Sequence, residues 1–455
     1  MKKKKLTQIK SSMLSRSFSV AKLGLNAGVK YAATKLGNKS FDDFVTSQAG
    51  LFTKEFGELK GSLMKAGQML SVYGEYFFPP QANAILKTLQ SDSPAIEWDI
   101  MLTYLQKYFS AELLDELEID PEPIGTASMG QVHKAKILKT GEIIALKIQY
   151  PDVDKAIDSD VAALKTLLKV SKIIPDGLDL KAIFEEVKMM LRQELDYVNE
   201  ARLTKKYREL LEGDTRFVVP RIFARYSNKR VLATEFIDGL RADHPLVQSL
   251  STQRRNRLSE NFLDLYFKEI FVWNLVQTDP HLGNYKIQID ALGDDRLVLL
   301  DFGACREFSQ EFIENYRQLI QGSVRNDEKL FLDAGRKLGF IKKGDSEAYI
   351  EAYKDFCYET VEPFWSPEDP RNKLNKIATD GTYRWKETDL PGRIVKKALH
   401  FKNFDLRSPP REIIFLDRKT GGVFIFLAVL KAEINARKLI DAYLPETTKA
   451  SKKEK

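Results

Sequence analysis

Two short segments in the second half of the chain restrict its fold more than any other sequence feature. The first (DPHLGN) begins with Asp279 and ends with Asn284, and the second (DFG) runs from Asp301 to Gly303. Residues 297–300, just before Asp301, have the apolar composition of a short strand. The 22 positions from Asp279 to Asp301 are enough for a loop followed by a β-hairpin that brings the chain back beside that loop. The chain must therefore fold so that a β-hairpin connects two acidic loops.

This arrangement is typical of kinases. In a kinase the first Asp accepts the substrate proton or orients the nucleophile, the Asn holds Mg²⁺, and the Asp of D-F-G bridges Mg²⁺ to the phosphates. We therefore predict that Asp279 is catalytic and that Asn284 and Asp301 are Mg²⁺ ligands. D-F-G alone is a common tripeptide, and two capped turns are the alternative interpretation. The combined spacing favours the kinase interpretation.

Lys147 is the next candidate, and we count it as both catalytic and nucleotide-binding. It lies in the strand-like residues 142–148 (EIIALKI), which follow the turn-forming residues 139–141. In kinases a lysine at this place in an A-x-K strand contacts the α- and β-phosphates. Burying an ammonium group without a partner is costly in free energy, and so we expect a carboxylate beside it.

Two glutamates could pair with Lys147, and both lie in residues 178–211, whose periodicity predicts one long helix. The residues on the same helical face as Glu194 are Leu191, Val198 and Ala201. Glu194 is therefore expected to point inward, and we assign it to the catalytic group as the partner of Lys147. For Glu200 the alternative is a charge exposed to solvent.

A glycine-containing loop precedes the lysine strand, but it departs from the G-x-G-x-x-G pattern. Residues 125–133 read GTASMGQVH, so that Ala127 and Ser128 stand where backbone amides fold over phosphate. The Cβ of alanine restricts the positive φ angles that glycine allows, and so phosphate is held differently here. The predicted nucleotide contacts are Ala127, Ser128, Gly130 and Gln131 in this loop and Glu235, Phe236 and Ile237 at the end of the strand-like residues 230–236.

Lys65 and Gln68, in the sequence KAGQ, lie three residues apart and so share a face of a predicted helix. Alone, such a pair is typical of a helix surface that faces solvent. Further segments follow this sequence in a fixed order along the chain. They are the alanine-containing loop, residues 194–201 (ELDYVNEA), the two acidic loops and residues 418–422 (RKTGG). This combination resembles the UbiB/AarF-type atypical kinases, with their KxGQ signature, over residues 45–440. The loop departs from the family's usual AAAS sequence.

The resemblance implies a chain that binds ATP or ADP with Mg²⁺ and supports the biosynthesis of ubiquinone or a related isoprenoid quinone. In that family the KxGQ helices lie over the site where a protein substrate would dock. The implied activity is ATP hydrolysis or phosphorylation of a small molecule rather than of proteins. The resemblance also implies that Lys65 and Gln68 face the active site, where Lys65 forms an ion pair with Glu200. The implied partners besides nucleotide are a quinone precursor, an anionic lipid or quinone-biosynthesis enzymes.

Two other functions remain open from the sequence. The first is a non-catalytic scaffold that binds nucleotide as a structural ligand, although the complete set of Lys147, Asp279, Asn284 and Asp301 favours chemistry. The second is a phosphotransferase similar to aminoglycoside or choline kinases, which also use D-x-x-x-x-N. The KAGQ sequence argues against that one.

Charge is unevenly distributed along the chain. The net charge is +7, but residues 1–41 contain ten Lys or Arg and no acid, so that the remainder sums to 7 − 10 = −3. A basic arm on a mildly acidic body indicates an anionic membrane surface or a targeting peptide rather than nucleic acid, and a helix docked on its own protein is the alternative. Two cysteines are too few for a disulfide framework, and no run reaches the roughly 18 apolar residues of a membrane span. The longest apolar run, residues 421–430, is predicted to be a buried helix. We expect a cytoplasmic protein, or one peripheral at an inner membrane, on the matrix side in a eukaryote.

We therefore predict an α+β, two-lobed, protein-kinase-like fold with an N-terminal helical extension. Residues 251–276 are predicted to be helical. The predicted segments are a basic arm (1–41), a helical extension with the KxGQ sequence (42–120), an N-lobe (121–238), a C-lobe (239–445) and a disordered tail (446–455).

Overall fold

The computed structural model describes residues 62–77, 95–127, 129–170, 180–400 and 411–445. The predicted basic arm, the predicted tail and Ser128 lie outside the described residues. The described chain forms two compact units. The first comprises the residues up to Glu212 together with Val219–Ile237 and Asp301–Ala304, and the second comprises Gly213–Val218, Asp238–Leu300 and the residues from Cys305 onward.

Helices and strands are numbered in chain order within the described residues. The helices are α1 (Ser62–Phe77), α2 (Trp98–Leu105), α3 (Ala111–Asp115), α4 (Val153–Val170), α5 (Leu180–Glu194), α6 (Tyr197–Leu210), α7 (Pro245–Gln248), α8 (Thr252–Phe271), α9 (Gln310–Arg325), α10 (Glu328–Lys337), α11 (Glu347–Thr360), α12 (Leu390–His400), α13 (Arg411–Val429) and α14 (Ala436–Asp441). The strands are β1 (Leu117–Thr126), β2 (Gly130–Ile137), β3 (Ile143–Gln149), β4 (Phe217–Val218), β5 (Val231–Glu235), β6 (Leu275–Gln277), β7 (Tyr285–Gln288), β8 (Arg296–Leu299), β9 (Cys305–Glu307), β10 (Tyr383–Arg384) and β11 (Glu433–Ile434).

The first unit is built on one antiparallel sheet in the order β1-β2-β3-β5. Side chains of a strand alternate between the two faces of a sheet. Ile144, Leu146 and Ile148 of β3 are fully buried on one face, whereas Lys147 lies on the other. The turn before β3 contains Gly141 at φ 74°, a left-handed conformation that glycine adopts without strain. The predicted strand and turn are therefore confirmed.

Helix α1 carries the KxGQ sequence and is packed inside the first unit against α4 and α5. Leu63, Ala66 and Leu70 are buried, and Ser62 donates a hydrogen bond of 2.5 Å to the carboxylate of Asp160 in α4. This contact fixes the start of α1 on α4. The alternative of a solvent-facing helix surface is therefore wrong.

The predicted single helix over residues 178–211 is wrong, because the chain breaks into α5 and α6. Helix α5 ends at Glu194 and α6 begins at Tyr197. Asp196 is the N-cap of α6, and its carboxylate accepts a hydrogen bond of 3.0 Å from the Asn199 amide. The break changes the helical phase, and Val198, predicted to point inward, is 61% exposed.

Helix α8 supplies much of the core of the second unit, where Phe262 and Phe267 are buried. We predicted that helices continue through Val276, but α8 ends at Phe271. Asn274 then adopts a left-handed conformation at φ 51°, and β6 follows at Leu275. An isolated left-handed residue interrupts helical geometry, which explains the early end.

The chain between the two acidic loops forms the predicted hairpin. Strand β7 pairs antiparallel with β8, in the register Tyr285 to Leu299. Helix α13 contains residues 421–429 of the apolar run 421–430, and Val423, Phe424 and Leu427 are buried, as predicted. Within the residues that the structure describes, no helix is both long enough and apolar enough to cross a membrane.

Candidate functional site

The predicted site residues are divided between the two compact units. Lys147 and Asp301 belong to the first unit, and Asp279 and Asn284 belong to the second. Lys147 lies in the interior of the first unit's sheet, opposite Val132 of β2 and Leu232 of β5. A lysine in the middle of a sheet requires compensation of its charge.

Two carboxylates of the first unit share Lys147. Its Nζ lies 2.8 and 3.0 Å from the two oxygens of Glu200 and 3.5 Å from Oδ2 of Asp301. With one cation and two anions, this cluster carries a formal charge of −1. The Glu200 side chain is 3% exposed, whereas that of Asp301 is 33% exposed. Asp301 is therefore the member of the cluster that a ligand can reach.

Burial and charge shift both members of the closest pair. Burial opposes the charged form of Lys147, but Asp301 and Glu200 outweigh it and hold the pKa of the ammonium well above its usual range. Burial raises the pKa of Glu200 to about 7, against the effect of Lys147 and with a further contribution from Asp301. The excess negative charge contributes to both shifts, since a cluster with net charge −1 favours the protonated form of each group. A divalent cation would remove that excess.

The structure exchanges the predicted partners of the two lysines. Glu200, not Glu194, pairs with Lys147, and Glu194 instead contacts Lys65, with 2.9 Å between Nζ and Oε2. The break between α5 and α6 explains the exchange, because it places the two glutamates on separate helices. Lys65 is 8% exposed and Gln68 is half-buried. The assignment of Glu194 as the catalytic partner of Lys147 is therefore wrong.

The D-F-G segment is held against α6. The Gly303 amide donates to Oδ1 of Asp301 at 2.9 Å, and the buried Phe302 ring lies 4.6 Å from the ring of Tyr207. A Cβ added at Gly303 would lie 3.2 Å from Oε2 of Glu200. The glycine therefore allows the segment to approach the Lys147 cluster closely.

The loop between β1 and β2 is a tight turn in which the Ala127 amide donates to the Gly130 carbonyl at 2.8 Å. Gly130 is required by packing, because an added Cβ would lie 2.6 Å from the carbonyl oxygen of Ile148. It would also lie 3.0 Å from the Tyr197 hydroxyl. Nucleotide contacts of Ala127 and Gly130 stay predictions, and Ser128 lies outside the described residues.

The Gln131 side chain has a structural role, and a nucleotide contact of this residue stays a prediction. It is fully buried. Its amide accepts from the Ile96 amide at 3.0 Å, donates to the Ile96 carbonyl at 3.3 Å, and lies 2.8 Å from Nε2 of His133. These hydrogen bonds hold the segment before α2 against the sheet face opposite Lys147.

Residues 235–237 follow the end of β5. The Phe236 amide donates to the Ile143 carbonyl at 3.1 Å, and the Glu235 carboxylate accepts from the Arg221 amide at 3.2 Å. Ile237 is buried. These groups hold the fold together, and nucleotide contact through Glu235, Phe236 and Ile237 stays a prediction.

In the second unit, Asp279 and Asn284 belong to one closed loop. The carbonyl oxygen of Asp279 accepts hydrogen bonds of 2.8 Å from the side-chain amides of both Gln277 and Asn284. The NH₂ group of Asn284 is thus engaged, and its side-chain oxygen is the atom suited to a metal ion. The amide of Leu300, which precedes Asp301 in the chain, donates to the Asn284 carbonyl at 3.0 Å.

Arg418 of α13 holds the carboxylate of Asp279. Its Nη2 lies 2.6 Å from Oδ1, and both side chains are 15% exposed. From the sequence, Arg418 was named only within the segment 418–422 that resembles the family, without a role of its own. One signal was available, because Arg418 lies between the apolar runs 413–416 and 423–427, and a cation that is buried with such a helix needs an acidic partner.

A cavity of about 1030 Å³ in the second unit contains none of the predicted site residues. Two of its arginines are already paired. Arg254 contacts Asp295 at 2.7 Å, and Arg216 contacts Asp214 and Asp264 at 2.7 and 2.8 Å. The cavity is therefore no substitute for the predicted site.

A family model for the ABC1 atypical kinase-like domain matches residues 88–334, more than half of the 455 residues. The chain belongs to the ABC1 atypical kinase-like family. The predicted resemblance to UbiB/AarF-type atypical kinases is confirmed by this match.

Relatives of this ABC1 chain occur in several eukaryotes. "Probable serine/threonine-protein kinase abkA" of Dictyostelium discoideum is 29% identical, over 95% of this chain and 79% of that protein. "Atypical kinase coq-8, mitochondrial" of Caenorhabditis elegans is 32% identical, over 83% of this chain and 48% of that protein. "Atypical kinase COQ8, mitochondrial" of Saccharomyces cerevisiae is 29% identical, over 96% of this chain and 85% of that protein.

The fold of the ABC1 chain is similar to a solved structure of Rv3197 from Mycobacterium tuberculosis in complex with erythromycin. The TM-score is 0.59 at 23% identity, and the match covers 91% of this chain and 98% of the other. Together with the family match, this similarity confirms the predicted α+β, kinase-like fold.

Proposed function

We propose that this ABC1 chain is an Mg²⁺-dependent ATPase or small-molecule kinase that supports the biosynthesis of ubiquinone or a related isoprenoid quinone. The observation that carries the proposal is the cluster of Lys147, Glu200 and Asp301. It combines a buried ion pair, an excess negative charge and one carboxylate that solvent reaches. Phosphoryl transfer requires a cation that contacts the phosphates and, beside it, an accessible carboxylate that holds Mg²⁺.

Each residue has a proposed part. Lys147 contacts the nucleotide phosphates and Glu200 holds Lys147 in place. Asp301 and the side-chain oxygen of Asn284 hold Mg²⁺, which supplies charge neutralisation at the phosphates. Asp279 orients the attacking hydroxyl or water, or accepts its proton.

The acceptor and the cellular setting are proposed from the relatives. Relatives named COQ8 and coq-8 are described as mitochondrial atypical kinases, and the proposal extends that setting to this chain. The pairing of Lys65 with Glu194 supports a place for the KxGQ helix beside the nucleotide, because Glu194 lies only three residues before Tyr197, the first residue of the helix that carries Glu200. We propose a quinone precursor or water as acceptor, with anionic lipid or quinone-biosynthesis enzymes as partners.

The central test is Asp301→Asn. This variant removes one anionic charge from the cluster, and so Mg²⁺-dependent thermal stabilisation by ATP or ADP should disappear. The melting temperature without nucleotide should stay close to that of the wild type, because the Asp301 side chain is 33% exposed. Glu185→Gln, on the outer face of α5, serves as the control. Stabilisation by Mg-nucleotide that survives Asp301→Asn would remove the metal assignment.

A non-catalytic nucleotide-binding scaffold is the second candidate, because the ion pair of Asp279 with Arg418 would also stabilise a loop that performs no chemistry. Asp279→Asn separates the two functions. For an enzyme, ATP turnover should fall by about 10²–10⁴-fold with nearly unchanged nucleotide affinity, the usual range for a positioned acid–base group. A decrease in turnover of less than about threefold would favour the scaffold.

A further inference from the structure

In the second unit, helix α13 supports the Asp279 loop through three residues of the segment 418–422, namely Arg418, Lys419 and Gly422. The first contact is the ion pair between Arg418 and Oδ1 of Asp279 at 2.6 Å. Both side chains are 15% exposed, and so solvent screens the pair weakly. A charged donor on one carboxylate oxygen restricts rotation about the terminal side-chain bond of Asp279.

The second contact is steric. A Cβ added at Gly422 would lie 2.2 Å from Cγ and 2.3 Å from Cβ of Pro280, the residue after Asp279. No real Cβ tolerates these distances. At Gly421, the adjacent glycine, an added Cβ would meet nothing within 4 Å. Gly422 alone therefore allows the loop to rest on α13.

The third contact reaches the backbone of the loop through a hydrogen-bond chain. Lys419 is 1% exposed and pairs with Glu269 of α8 at 2.7 Å. Its Nζ also donates to the Tyr285 hydroxyl at 3.3 Å, and that hydroxyl donates to Gln277 at 3.0 Å. Gln277 in turn donates to the Asp279 carbonyl at 2.8 Å. The carboxylate and the carbonyl of Asp279 are thus both supported from α13.

We propose that Arg418 is a positioning residue, which fixes the orientation of the Asp279 carboxylate relative to the attacking nucleophile. The inference rests on the proposed function, because it concerns the residue that would orient the nucleophile. The guanidinium of Arg418 is planar and always charged, and so its contact with Oδ1 favours one orientation of the carboxylate. Lysine at the same place keeps the charge but not the planar arrangement of donors.

The experiment compares Arg418→Gln and Arg418→Lys with the wild type. Arg336→Gln is the matched control, because Arg336 pairs with Asp333 at 3.0 Å on the surface, with both side chains more than half exposed. Hydrogen exchange of residues 277–285 is measured in the nucleotide-free chain, together with the melting temperature. Mg²⁺-dependent ATP turnover and the KM for ATP are measured on the same samples.

We expect faster exchange of this segment in Arg418→Gln but not in Arg336→Gln. Turnover should fall by about 10–100-fold while the KM for ATP changes less than about twofold, since misplacement of a reacting group by about 1 Å has an effect of this size. Guanidinium at a non-denaturing concentration should restore turnover in Arg418→Gln, which a general loss of stability would not allow. If Arg418→Gln does not fold, the same measurements are made on Arg418→Lys.

The outcomes separate the inference from the proposed function. Exchange of residues 277–285 that matches the wild type in both Arg418 variants overturns the inference, whether or not the wild type hydrolyses ATP. Faster exchange supports it even where the wild type shows no turnover, and that absence counts against the proposed function alone. Wild-type turnover in Arg418→Gln, or a loss that guanidinium does not reverse, also overturns the inference.

Discussion

At the scale of single residues, one lysine organises the candidate site of the first unit. Lys147 contacts the buried Glu200 at 2.8 Å and the more exposed Asp301 at 3.5 Å. Breaking a buried ion pair by removing one partner typically costs about 3–5 kcal/mol, because it leaves an uncompensated charge. Here Asp301 remains beside Lys147 when Glu200 is removed. The pair therefore contributes less to stability than an isolated buried pair.

The raised pKa of Glu200 predicts how stability changes with pH. A carboxyl whose pKa rises to about 7 in the folded state adds stability that is complete below its unfolded pKa and is lost as pH rises through 7. Glu200→Gln removes this titration. Between pH 5 and 8 the nucleotide-free wild type should therefore lose on the order of 2 kcal/mol relative to Glu200→Gln.

Thermal unfolding of both proteins across this pH range measures the difference, with Glu185→Gln as the exposed control on α5. A constant difference between wild type and Glu200→Gln from pH 5 to 8 would contradict the assigned protonation. Mg-nucleotide should reduce the pH dependence in the wild type, because the cation compensates the excess negative charge.

At the scale of elements, short interruptions decide where the candidate side chains point. The break between α5 and α6 directs Glu194 to Lys65 and Glu200 to Lys147. Helix α13 supports the Asp279 loop because Gly422 lets Pro280 approach its backbone. In both places a local feature of one or two residues sets the relation of a whole helix to its neighbour.

The adjacent glycines of α13 provide a matched pair of substitutions. Gly421→Ala should be neutral or stabilise the protein by about 0.5–1 kcal/mol, because alanine loses less conformational entropy in a helix and nothing lies within 4 Å. Gly422→Ala should destabilise it by about 1–3 kcal/mol, because the methyl group overlaps Pro280. Chemical denaturation of the two variants tests this. Equal changes in the free energy of unfolding at both positions would show that α13 and the Asp279 loop can move apart without loss of stability.

At the scale of the whole molecule, the charge of the chain is concentrated at its N-terminus. Residues 1–41 contribute +10 to a net charge of +7, so that the remainder carries 7 − 10 = −3. These residues lie outside those that the structure describes, and the proposal for them rests on the sequence alone. An anionic membrane surface attracts a basic segment by about 1 kcal/mol for each charge near it.

Deletion of residues 1–38 should weaken co-sedimentation with liposomes that contain anionic lipid. Added salt should weaken it in the full chain, because screening shortens the range of the attraction. Liposomes of neutral lipid are the control. Equal co-sedimentation of the deletion variant and the full chain would indicate a targeting peptide or a helix docked on its own protein.

Local sequence predicted the elements whose signals are contained in a few neighbouring residues. Strand β3, the turn with Gly141, the β7–β8 hairpin and the buried part of α13 each follow from composition and spacing. The kinase-like fold and the family follow from motifs in a fixed order along the chain. These signals are local or sequential, and so no tertiary information was needed to find them.

The tertiary structure decided which side chains meet. The partner of Lys147 depended on a break at residues 195–196 that the apolar periodicity on either side concealed. Gln131 lies on the sheet face opposite Lys147 and contacts Ile96, 35 residues earlier. Arg418 reaches Asp279 across 139 residues. An ion pair or hydrogen bond depends on the direction of a side chain, and a shift of one residue in a strand or a short break in a helix reverses that direction without changing the motif.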